Sequence, residues 1–146
     1  MIDKEFIKEK INLITRDLEQ LEIFANFALG EIAEDFMKFS ALKNIFVEII
    51  GRAIDINEHI IAEMAEAKKI EAPKTYKETF ILLADLGVLP KNFAEEISKS
   101  AGFRNAIVHE YNNLDKSFIY KKIGDAIRQY AEYCNYILRF LNENNC

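Results

Sequence analysis

A length of 146 residues accommodates one domain, and a chain that is 50% hydrophobic and 29% charged has a globular rather than a disordered balance. No apolar run reaches the roughly 18 residues of a membrane span, and the charged start Met1–Glu5 lacks an apolar signal core, so a cytoplasmic protein is expected. The net charge of −5 disfavours a nucleic-acid partner overall, but residues 91–128 carry 7 basic and 5 acidic side chains, against 11 and 17 in residues 1–90.

Only two prolines and five glycines interrupt the chain, which favours long helices. Ile7, Ile11, Ile14, Leu18, Leu21 and Ala25 recur at helical spacing and predict an amphipathic helix over about residues 3–28, with Gly30 as its stop. A second helix is expected from about Glu31 or Ser40 to Ala67. Its stripe of Leu42, Ile45, Ile49, Ala53, Ile56, Ile60 and Met64 is widened by Phe46, Ile50, Ile54 and Ile61. So broad an apolar arc implies burial on two sides, at a bundle centre or a subunit contact.

Lys68–Lys74, with Pro73, reads as a loop, and Thr75-x-x-Glu78 as a capping box opening a short helix over Tyr76–Leu86 that Gly87 ends. Asn92-x-x-Glu95 opens another, running through Ile97 toward Tyr111, in which Gly102 marks a bend or a close helix approach. After the polar turn 112–115, Ile119, Ile123, Ala126, Tyr130, Cys134, Ile137 and Leu141 trace the last helix, and the tail Asn142–Asn145 should fray. The expected class is all-α, an up-down four-helix bundle with a short extra helix, in a single domain spanning 1–146.

Few residues are available for chemistry. His59 and His109 are the two histidines; no paired Cys or His spacing suits a metal, and there is no phosphate loop or nucleophile elbow. Cys134 and Cys146 read as reduced thiols, Cys134 at a core position. The segment Phe103–Tyr111 remains. On a helical wheel of about 100° per residue, Arg104, Asn105, His109 and Tyr111 share one side, while Phe103, Ala106 and Ile107 face the other way. Polar clusters on a helix face are common, so spacing alone leaves a surface reading and a functional reading both open. Arg104 and His109 diverge by about 140°, so two copies related by a twofold axis would aim both at one phosphate more easily than one copy.

Arg104-x4-His109-x-Tyr111 resembles the R-x4-H-x-Y motif of the HepT-like toxins, a branch of the HEPN superfamily. Ala53–Glu63 (AIDINEHIIAE), Tyr76–Gly87, Gly102–Asn105 and His109–Tyr111 follow in that family's order, so the resemblance covers about residues 40–116. It implies a homodimeric endoribonuclease toxin that needs no metal or other cofactor. Several members act on tRNA, and a minimal nucleotidyltransferase antitoxin of the MntA type adds AMP to the motif tyrosine, here Tyr111. No DNA or membrane partner is implied.

The residue types suit that chemistry. RNA supplies its own nucleophile, the 2′-hydroxyl. His109 would act as general base or acid and Arg104 would stabilise the phosphorane charge, with Asn105 orienting His109 or binding a phosphate oxygen. His59, one turn after Asp55, is a candidate supporting residue, though a structural histidine bonded to Asp55 is the stronger expectation. The competing function is a non-catalytic HEPN subunit that binds nucleotide or a partner nucleotidyltransferase.

Overall fold

The computed structural model describes residues 1–109 and 115–144, and among these the regular structure is six helices and no strand. They are α1 (Lys4–Ala25), α2 (Leu29–Ala33), α3 (Phe36–Lys68), α4 (Tyr76–Asp85), α5 (Lys91–Val108) and α6 (Lys116–Glu143). The all-α class read from periodicity is the observed one. No described helix is long and apolar enough to cross a membrane.

The long helix α3 is the axis of the molecule. Phe46, Ile49, Ile50, Ala53, Ile54, Ile56, Ile60 and Ile61 are all buried in one continuous core with residues of α1, α4, α5 and α6. Most of its broad apolar arc is therefore covered within the chain, at a bundle centre, while Ile45 and Met64 of the same stripe stay partly exposed. α1 runs antiparallel to α3: Asp3 meets His59, Lys10 meets Asp55, and Asp17 meets Arg52. The α1 stripe ends one residue earlier than its spacing suggested, with Phe24 buried and Ala25 exposed.

Capping chemistry sets the helix ends. Asp3, Asp35, Thr75 and Asp115 each accept a backbone N–H of the first turn they precede. The capping box at Thr75 differs in one respect: the Glu78 carboxylate reaches back to Lys74 N–H at 2.7 Å. Gly87, at φ +81, closes α4 in a Schellman turn, with Val88 N–H on Leu83 C=O and Gly87 N–H on Ala84 C=O.

Four boundaries fall elsewhere than the sequence suggested. α1 stops at Ala25, and Gly30 lies inside α2, a five-residue helix with one buried side chain, Ile32, and too short for any periodicity to reveal. α3 begins at Phe36 because Asp35 caps it, not at Glu31 or Ser40. α5 begins after Pro90, whose carbonyl accepts Ala94 N–H at 2.9 Å, so the helix is already formed at Asn92. α6 continues through Glu143, where fraying was expected, and Asn144 bonds back to Phe140 C=O. Gly102 marks neither a bend nor a close approach: α5 is continuous through it and a Cβ there would meet nothing within 4 Å.

Candidate active site

The sequence drew attention to one face of α5, and α5 is packed mainly against α4 and α3. Its buried residues Ala94, Ile97, Ser98, Ala101 and Ile107 pack on α3 and α4, which leaves Arg104 and Asn105 half-buried at the margins of that contact. The Arg104 guanidinium carbon lies 5.4 Å from the centre of the Tyr76 ring, at the first residue of α4. Behind it stands Gly51 of α3, where a Cβ would come within 3.6 Å of Arg104 Nε. At that distance an alanine at 51 would make ordinary van der Waals contact with the guanidinium stem, which lies close to the α3 backbone. Among the described residues, Arg104 Nε is buried without a hydrogen-bond partner and Arg104 forms no ion pair.

Arg104 borders a cleft of about 390 Å³ whose lining includes Lys10, Gly51, Asp55, Glu58 and Tyr76. Asn105 borders an adjoining groove of about 380 Å³ with Pro73, Thr75, Tyr76, Thr79 and Glu58. Glu58 and Tyr76 line both, so the two depressions meet at the Tyr76 ring. The structure thus brings together Arg104, Asn105 and Asp55.

His109 is the C-cap of α5 and exposed. Five residues beyond Arg104 along the helix, it stands about 7.5 Å further along the axis at 1.5 Å per residue. Its N–H donates to Asn105 C=O at 3.0 Å, the last helical bond of α5, while Asn105 itself borders the adjoining groove. Tyr111 lies outside the described residues, as do Glu110 and 112–114.

His59 and Asp55 part company. Asp55 pairs with Lys10 at 3.1 Å. His59 Nε2 accepts Asp3 N–H at 2.9 Å, and its ring lies 5.2 Å from that of Phe6. The expected His59–Asp55 bond is replaced by a tie to the start of α1, because the antiparallel helix offers both residues closer partners. His59 therefore anchors α1, and Asp55 alone reaches the cleft.

Tyr76, Glu58 and Gly51 were not singled out from the sequence. Gly51 carried a weak signal, a glycine inside a 33-residue helix that costs about 1 kcal/mol relative to alanine, but the 3.6 Å left for a Cβ gives it no packing reason. Cys134 is buried, burial pushes its thiol up to about 12, and it is no nucleophile at neutral pH.

An all-helical bundle with an arginine held in a cleft and a histidine ending the same helix defines the class of protein. The chain belongs to the HepT-like ribonuclease family, whose model matches residues 14–137. It is 31% identical over 140 residues to the tRNA nuclease HepT of Aphanizomenon flos-aquae, covering 96% of this chain and 92% of that one. Two solved structures share its fold. One is the tri-AMPylated HEPN toxin of Shewanella oneidensis in complex with the MNT antitoxin, with a TM-score of 0.81, 19% identity and coverage of 94% of this chain and 99% of that one. The other is the cytosolic protein YutE of Bacillus subtilis, with a TM-score of 0.81, 17% identity and coverage of 99% and 94%.

Proposed function

We propose that the protein is a metal-independent endoribonuclease toxin of a toxin–antitoxin pair, working in the cytoplasm on RNA, with tRNA the favoured class. The observation that carries this reading is the Arg104 guanidinium, held over Tyr76 against Gly51 in an open cleft on the helix that ends at His109. Membership of a ribonuclease family and the relatedness to a tRNA nuclease support it.

The 2′-hydroxyl of RNA attacks the adjacent phosphorus, the bond to the 5′-oxygen breaks, and a 2′,3′-cyclic phosphate and a 5′-hydroxyl result. His109 transfers a proton at one of these oxygens, and Arg104 places a planar fork of N–H donors against the phosphoryl oxygens as their charge grows. Asn105 binds a phosphate oxygen from the neighbouring groove. The Tyr111 hydroxyl attacks the α-phosphorus of ATP held by an antitoxin nucleotidyltransferase, pyrophosphate leaves, and the AMP added to the tyrosine repels RNA beside the site.

The site is shared between two copies of the chain, since Arg104 and His109 diverge by about 140° on one helix. Mixing inactive Arg104→Ala and inactive His109→Ala proteins, with subunit exchange, tests both the residues and the sharing. Each mixed dimer would hold one intact Arg–His pair, so cleavage should return to about a quarter of wild type. A mixture as inactive as its two components contradicts the shared site.

A further inference from the structure

α5 and α6 diverge over α3 and leave a groove beside the Arg104 cleft, lined by Phe46, Phe103, Lys122, Ala126 and Tyr130 among others. Phe103 immediately precedes Arg104, about 100° away around the α5 axis, so groove and cleft occupy adjacent flanks of one helix. The rings form a chain across the three helices: Phe46 to Phe103 at 5.0 Å between centroids, and Phe103 to Phe118 at 6.0 Å.

Lysines lie on these rings. Lys122 Nζ stands 4.9 Å from the centre of Phe118, and on the α3 stripe that continues from Phe46, Lys43 and Lys116 stand 5.0 and 5.1 Å from the centre of Phe39. The last two ammonium groups, on opposite elements but one ring, are thus at most ~10 Å apart. None of the three lysines forms an ion pair among the described residues. Of the carboxylates bordering the groove, Glu96 pairs with Lys99, which also lines it, and Asp125 pairs with Arg128 outside it, so Lys122 is the cation of the groove lining without an ion pair among the described residues. Lys116 is further fixed by donating to Ala33 C=O at 2.9 Å. Phe36, one turn before Phe39 on the same stripe, is 83% exposed, and Phe118 is half exposed.

Two ammonium groups within about 10 Å and without counter-ions repel only weakly in water, and together they attract a shared anion. Phe39 and Phe46 are buried, and Phe39 only seats its two lysines, but the exposed rings of Phe36 and Phe118 flank the ammonium groups, an arrangement that suits an unpaired nucleic-acid strand whose phosphates meet the charges and whose bases stack on those two rings. We propose that this face, where α3, α5 and α6 meet, binds the backbone of single-stranded RNA and leads the strand over α5 to Arg104. The proposal rests on the ribonuclease reading above and goes beyond it by naming where the substrate outside the scissile bond is held. A local cluster of this kind also explains how a chain of net charge −5 engages a polyanion.

The test is the Lys43→Gln/Lys116→Gln double variant, assayed for RNA cleavage over a range of salt concentrations beside wild type. KM should rise about tenfold with kcat within about twofold, and the log–log salt dependence of affinity should become shallower by about 1.4, for two lost phosphate contacts. Phe36→Ser, at a position too exposed to unfold the chain, should raise KM as well. An unchanged KM and salt slope in a wild type that cleaves would overturn the proposal. So would loss of binding to the nucleotidyltransferase partner with RNA kinetics intact, which would assign the face to a protein. A wild type that cleaves no RNA removes the ribonuclease reading first, and this proposal with it.

Discussion

Arg104→Ala is expected to lower the rate of RNA cleavage by about 10²–10³-fold, the usual loss when one donor to a developing oxyanion is removed. The effect should fall on kcat, because the guanidinium meets its strongest charge in the phosphorane and not in the bound substrate. Arg104→Lys should recover little, since an ammonium group cannot present two parallel N–H donors. Folding should persist, because Arg104 is half-buried and forms no ion pair among the described residues. The Tyr76 ring supplies a graded control. Tyr76→Phe keeps the face over which the guanidinium lies and should leave the rate near wild type. Tyr76→Leu removes it and should cost about two- to fivefold in kcat, the size of a partly exposed cation–π contact. Single-turnover cleavage beside a thermal melt separates these losses from unfolding.

Asn57→Ala should be the most destabilising single change outside the hydrocarbon core. Asn57 is fully buried on α3, accepts the Tyr133 hydroxyl of α6 at 2.6 Å, and donates to Thr79 Oγ1 of α4 at 3.1 Å. Thr79 in turn donates to Tyr76 C=O at 2.6 Å, so one buried chain of hydrogen bonds runs from α6 through α3 to the turn that presents Tyr76. Truncation leaves a cavity and removes both bonds, at a cost of about 3 kcal/mol. For a chain of this size, that corresponds to a fall in Tm of roughly 10 °C. A loss below about 1 kcal/mol in thermal or urea unfolding would show that the network contributes little. Because the chain ends beside Arg104, the variant should also lose kcat at temperatures where it is still folded.

The fold was legible in the sequence wherever burial imposes a helical period. The stripe from Ile7 to Leu21 and the broad arc from Leu42 to Ile61 are buried as their spacing implied, except for Ile45, which is only partly covered. What escaped was decided by single backbone groups. α2 buries only Ile32, and the start of α5 was set by the Pro90 carbonyl and not by the polar Asn92. The site divides the same way. Arg104, Asn105 and His109 were visible because they lie on one stretch of one helix. Tyr76 and Glu58 come to Arg104 from α4 and α3, contacts made only through tertiary packing and invisible to spacing. His59 was misplaced for the same reason: its neighbour in sequence is Asp55, but its partner in space is Asp3, 56 residues away.

Cleavage by Arg104 and His109 through the RNA's own 2′-hydroxyl is tested most directly by incubating total cellular RNA with the unmodified protein in EDTA, beside His109→Ala, and analysing the product ends. Wild type alone should cut, leaving 2′,3′-cyclic phosphate and 5′-hydroxyl ends. No cutting by a protein whose intact mass confirms that Tyr111 carries no AMP would contradict it, and would identify the chain as a non-catalytic binding subunit.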